Sequence, residues 1–226
     1  MKRTPSDMIK GYIHKSNKCG YLEVISYVNA LEVEVRFIST GETYTFEAGN
    51  IRSGSVKDLM FASVCGVGFV GKGEHLVRVD NKLTKTYQVW SDMIKRCYSE
   101  KRQKRQPTYI GCTVCDEWHN YQVFADWYYK NLPEGIERYE VDKDIINPGN
   151  KTYSPEMCTI VSARENRKES NLRNTTREYI VKDPSGDTLV IVNMAKFSRE
   201  MGLCKAGMSA LIRGKVKSYK GYSLPS

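Results

Sequence analysis

The residues best suited to chemistry lie between Arg138 and Asn166. They include Asp142, Lys143, Asp144, Asn147 and Asn150, with Tyr153, Ser154, Pro155, Glu156 and Cys158 further on. A β-rich run ends at Asp142, a Gly-containing loop follows, Cys158 to Val161 reads as a short returning strand, and a helix signal starts near Ser162. In a strand, loop, strand, helix order, an Asp at the end of the first strand and an Asn on the helix supply hard oxygen ligands. These suit one divalent cation, magnesium or manganese. Such an ion would stabilise the phosphorane and the leaving 3′-oxygen of a phosphodiester while a neighbouring side chain activates water. The plain alternative is that Asp142, Asp144 and Asn147 organise a turn, a common use of Asp and Asn.

Two further stretches carry charge in a pattern. Lys95, Arg96, Lys101, Arg102, Lys104 and Arg105 place six cations against the single Glu100 within eleven positions. Such a run is ordinarily a solvated face, but this density also neutralises phosphates and releases counterions. Near the C-terminus, Lys205, Ser209 and Arg213 fall at i, i+4 and i+8, one face of a helix, with Lys215, Lys217 and Lys220 behind them. The first run is poor in the polar residues that read base edges and predicts phosphate contacts. The helix face predicts base contacts, with Arg213 suited to guanine.

The elements that must hold these groups are legible in outline. Tyr21 to Val28, Leu31 to Ile38 and Tyr44 to Ala48 read as a β meander. It leads to the glycine-rich stretch Gly66 to Gly73, which lacks the phosphate-loop pattern and reads as turns and linker. Tyr87, Trp90, Met93, Ile94 and Cys97 form the apolar face of a helix, and Phe124, Trp127 and Tyr128 that of a second helix over 121–129. Glu178 to Lys182 and Leu189 to Val192 flank a turn at Asp183 to Asp187 and predict a hairpin. Asn193 caps a helix over 194–201 that stops at Gly202, and Lys205 to Arg213 forms another that stops at Gly214. Two short helices around a Gly-containing turn have helix-turn-helix spacing, with Ala206, Ala210 and Leu211 expected to pack on Phe197.

Composition bounds the partners. The 35 Lys and Arg residues against 26 Asp and Glu give a net charge of +9 over 226 residues, which puts polyanions first among partners. No run of about 18 apolar residues occurs, and the N-terminal MKRTPSDMIKGY lacks an apolar signal core, so a cytoplasmic protein with no membrane partner is expected. Seven cysteines, an odd number spread over the whole length, predict reduced thiols. Cys112 and Cys115 form a CxxC pair and, with Cys97 and Cys158, have the ligand types for structural zinc. The second pair lacks that spacing and buried thiols are common core residues, so zinc is not favoured.

Residues 85–170 resemble the phage-encoded HNH (ββα-metal) endonucleases. The resemblance is carried by Tyr87, Trp90, Met93, Arg96, Cys97 and Tyr98, then Val114, Cys115, Glu117, Trp118 and Phe124. It continues through Val141 to Asp144, Asn150 to Cys158, and Asn166. It implies Asp142 as metal ligand and Asn166 as the helix ligand. Lys143 stands where the family carries its general-base histidine, and His14, His75 and His119 all lie outside the motif. A lysine ordinarily stays protonated at neutral pH and makes a poor base. Lys143 and Asp144 would then share water activation and phosphate contact, with Arg138, Arg164 and Arg167 on the DNA backbone. Residues 192–222 resemble the nuclease-associated modular (NUMOD-like) repeats of homing endonucleases, through Ala195, Phe197, Gly202 and Leu203, then Met208 to Lys215, then Ser218 to Tyr222.

The sequence therefore predicts an α+β protein in three parts. These are a β-rich domain over 1–75, an HNH-like domain over 76–174, and a hairpin with helix-turn-helix over 175–226. The resemblance implies a metal-dependent endonuclease on double-stranded DNA, homing-type or aimed at a competitor genome, in the cytoplasm of an infected bacterial host. The absent histidine motivates the alternative of an inactive nuclease that serves as a sequence-specific DNA-binding regulator.

Overall fold

A computed structural model describes residues 4–135 and 139–225. The protein is α+β. Its contacts cluster into two compact units, Met1–Gly135 with Val141–Ile160, and Ile136–Glu140 with Val161–Ser226.

The first unit opens on an antiparallel sheet of β1 (Ile13–Lys15), β2 (Tyr21–Asn29), β3 (Glu32–Phe37) and β4 (Thr43–Phe46), followed by the short helix α1 (Ala48–Arg52). Leu22 lies opposite Phe37 and Val24 opposite Val35. The period-2 alternation buries these side chains with Val33, Met8, Ile51 and Val56 in one core. Asp58, 5% exposed, is kept satisfied by Thr40 Oγ1, the Tyr44 hydroxyl and the Met60 amide, all of which donate to its carboxylate.

After the two-residue strands β5 (Arg78–Val79) and β6 (Lys82–Leu83) comes α2 (Lys85–Tyr98), capped by Thr84, and then α3 (Glu100–Arg105). The face given by the 3.6-residue spacing is the buried one, since Trp90, Met93, Ile94 and Cys97 are all 4% exposed or less. The second helix, α4 (Tyr121–Lys130), follows β7 (Thr113–Val114). Its Phe124 and Trp127 pack on Trp118, and Trp90 Nε1 donates to the Trp118 carbonyl at 2.7 Å. The glycine-rich stretch runs close against this helical layer. A β-carbon on Gly71 (φ +77°) would collide with the side chain of Asn120, the residue that caps α4.

The strand, loop, strand, helix order is present as β8 (Tyr139–Asp142), β9 (Thr152–Tyr153), β10 (Thr159–Ser162) and α5 (Ala163–Thr176). β8 and β10 pair, and β9 pairs in parallel with β7, so the loop after Asp142 is tied to the strand that Cys112 and Cys115 flank. Ser162 starts α5 with a capping box, its side chain accepting from the Glu165 amide while Glu165 accepts from the Ser162 amide.

In the second unit, β11 (Glu178–Lys182) and β12 (Thr188–Val192) form the expected hairpin, with Ile180 opposite Val190. Helices α6 (Met194–Glu200) and α7 (Lys205–Ile212) follow, and the stretch behind them that holds Lys215, Lys217 and Lys220 includes β13 (Ser218–Tyr219) and leads into β14 (Tyr222–Ser223), which extend the sheet. Met208 and Leu211 anchor α7 in a core with Val181, Ile191, Met194 and Tyr222. Ala206, expected to pack on Phe197, is exposed and Met208 takes the inward position, because α7 turns the Met208 and Leu211 side toward the sheet.

Candidate nucleic-acid interface and active-site loop

Asp142 ends β8, and its Oδ1 accepts from the amides of Asp144 (2.7 Å) and Ile145 (2.8 Å), which fixes the first turn of the loop. Lys143 follows at 8% exposure. Its ammonium donates to Asp144 Oδ1 at 2.7 Å and to the Asn150 carbonyl, and it lies 6.0 Å from the centre of the Tyr153 ring. Asn150 closes the other side, donating to the carbonyls of Lys143 and Thr152 and accepting from the Thr152 amide. The charged groups of the loop are thus turned largely toward one another, and Lys143 points into the loop.

Asn166 lies in α5, where its Nδ2 donates to Glu140 Oε2 at 2.5 Å. Glu140 was not singled out by sequence reasoning. Strand alternation was the available signal, since positions 140 and 142 of β8 share a face. Asp142 belongs to the first unit and Asn166 to the second. Among the described residues, no group of three or more His, Cys, Asp or Glu is arranged to hold a metal ion.

The four cysteines considered for zinc all lie in the first unit. Cys97, Cys112 and Cys158 are buried and Cys115 is half-buried. Burial, with Cys112 nearby, pushes the Cys97 thiol up to about 12. Burial likewise takes Cys158 to about 12 and Cys115 to about 11. These are protonated thiols at neutral pH. Cys204, at the start of α7, is the opposite case: hydrogen bonds from the Gly207 and Ala206 amides, and then Lys220, lower its thiol below the ordinary range. Iodoacetamide at pH 8 should therefore modify Cys204 first and reach Cys97 and Cys158 only after unfolding, as peptide mass mapping over time would read. A folded thiol held above its unfolded value stabilises the fold while protonated. That contribution is complete below about pH 9 and is lost as pH rises toward 12, so the denaturation midpoint should fall above pH 9.

The basic run divides by environment. Lys95, Lys101, Lys104 and Arg105 are exposed. Arg96 is half-buried, with its guanidinium 5.6 Å from the centre of the Tyr109 ring, and Arg102 donates through Nε to Gln106 at 3.0 Å. Arg164 and Arg167 are exposed on α5, and Arg138 lies outside the described residues.

In the second unit, Lys205, Ser209 and Arg213 line one cleft of about 510 Å³. Its other lining residues include Asn171 and Thr175 from α5, and Arg177 and Tyr179. Arg177 lies 5.3 Å from the centre of the Tyr179 ring. Three cations therefore surround one concavity, and none of the described residues lining it carries a carboxylate. Lys215 is exposed beyond the end of α7. Arg177 was missed in the sequence because it sits at a helix-to-strand junction, outside either periodic pattern. The i, i+2 spacing of Arg177 and Tyr179 was the only local cue.

No protein-family model and no curated protein matches the chain. Among solved structures, the chain has a likeness to one described as DNA binding and cleavage by the HNH homing endonuclease I-HmuI, at 19% identity. The match spans 45% of this chain and 64% of that chain, less than two thirds of its length, with a TM-score of 0.22.

Proposed function

We propose that the protein binds double-stranded DNA. The observation that carries this reading is the second unit's cleft, where Arg177, Lys205 and Arg213 meet around a polar concavity with no carboxylate among its described lining residues. Ordinary surfaces intersperse charges of both signs, whereas a polyanion site collects one. The exposed Lys95, Lys101, Lys104, Arg105, Arg164, Arg167 and Lys215 add phosphate contacts in support. No described helix is long and apolar enough to cross a membrane. The test is fluorescence anisotropy on a labelled duplex at several salt concentrations. Log affinity should fall against log salt with a slope steeper than about −4, since each phosphate neutralised contributes about −0.9. The Lys205→Ala, Arg213→Ala double variant should flatten that slope by about 2. Salt-independent binding, or none, would refute the reading.

A second, finer reading is metal-dependent hydrolysis of DNA at the β8–α5 segment, of homing type or directed at a competitor genome in an infected bacterial cytoplasm. It is favoured by the strand, loop, strand, helix order with Asp142 at the end of the first strand. The Asp142 carboxylate is an oxygen donor of the type that magnesium or manganese accepts. The ion would supply charge stabilisation at the leaving oxygen. Asp142 would contribute its carboxylate, while Lys143 and Asp144 would hold the loop in register. Binding without scission under either metal would leave the regulator reading in its place.

A further inference from the structure

We infer that the cleft of the second unit seats one unpaired nucleotide of a DNA strand. The inference rests on the DNA-binding reading and names what enters that site.

The first ground is shape. A helix that reads the major groove must present its polar face without obstruction, because a groove about 12 Å wide barely admits a helix about 10–12 Å across. The polar face of α7 is instead one wall of a cleft, and α5 contributes Asn171 and Thr175 to the same lining. A duplex is too wide to enter such a recess and can meet only its rim, where the exposed Lys205 and Arg213 lie. The volume of about 510 Å³ falls within the range of roughly 300–1,000 Å³ that encloses a single small ligand.

The second ground is chemistry. A nucleotide offers a phosphate, a flat base face and a base edge, and the lining has a group for each. Lys205 and Arg213 are the phosphate donors. Arg177 over the Tyr179 ring makes a layered platform, and unpaired bases stack on aromatic rings and guanidinium planes. Asn171 carries one amide with both donor and acceptor, the pairing that an adenine edge accepts. A site for phosphate alone would have no need of the platform or the amide. The base leaves its stack at lowest cost where it is already unpaired, at a bulge or mismatch.

The test compares a duplex carrying one bulged adenine with the fully paired duplex of the same flanking sequence, using the full chain and anisotropy at fixed salt. The wild type should bind the bulged duplex at least about tenfold tighter. Asn171→Ala and Arg177→Gln should bring the ratio toward one, each weakening the bulged duplex more than the paired one. Lys205→Ala should weaken both duplexes. With 2-aminopurine as the bulged base, emission should drop on binding to the wild type as the base stacks, and drop less with Arg177→Gln. Equal affinity for the two duplexes with unchanged 2-aminopurine emission would overturn the inference while the DNA-binding reading stood. Failure to bind either duplex would overturn both.

Discussion

Under the proposed hydrolysis of DNA at the β8–α5 segment, Asp142→Asn should cut magnesium- or manganese-dependent nicking of plasmid DNA by at least about 100-fold while leaving duplex affinity and thermal stability near wild type. An asparagine amide oxygen can accept from the Asp144 and Ile145 amides as the carboxylate does, so the turn survives. What disappears is the negative charge, which binds a hard divalent cation more strongly than a neutral amide oxygen does, and a catalytic metal is worth several kcal/mol of transition-state stabilisation. Asp142→Ala makes the contrast, because it removes both acceptor bonds and should cost about 1–3 kcal/mol of stability in addition to any cleavage. Cleavage that persists in Asp142→Asn but falls in Asp142→Ala in step with stability would make Asp142 an organiser of the turn and nothing more. The supercoiled-to-open-circle ratio over time, read beside a denaturation midpoint for each variant, separates the two.

The parts of this chain that could be read in advance are those with local periodicity. The face from Trp90 to Cys97, the β2 and β3 alternation, the hairpin of β11 and β12, and the Asn193 cap are each fixed by neighbours within a few residues. The start of α5 near Ser162 was legible in the same way, and the Ser162 and Glu165 capping box is its local cause. What stayed hidden was non-local. The parallel pairing of Thr113–Val114 with Thr152–Tyr153 joins segments far apart in the chain through two-residue strands, too short for any periodic signal. β13 and β14 hid for the same reason behind their lysines. The cleft draws residues from Asn171 to Arg213 together, so its cationic character becomes visible only after α5, β11 and α7 have packed. The direction of Lys143 was equally unreadable, because a lysine beside two aspartates is compatible with a solvent-facing clamp or an internal ion pair.

That ambiguity gives the second large effect. Lys143→Ala should destabilise the first unit by about 3 kcal/mol, seen as a lower denaturant midpoint, and should leave the salt dependence of DNA binding unchanged. The Lys143 side chain is only 9% exposed, and its ammonium pairs with Asp144 at 2.7 Å and also donates to the Asn150 carbonyl. Removing one partner of a buried pair typically costs about 3–5 kcal/mol; the Asp144 side chain keeps 27% exposure, so solvent compensates part of the loss and the lower figure applies. The damage should spread to β9, because Asn150 and Thr152 are held by the same loop contacts. Hydrogen exchange at the Thr113 and Cys115 amides, which donate to the Lys151 and Tyr153 carbonyls, should accelerate in the variant. A phosphate clamp predicts the reverse pattern: stability within about 0.5 kcal/mol of wild type and a salt slope shallower by about 1. Finding that pattern would move Lys143 from the loop's interior chemistry to the DNA backbone.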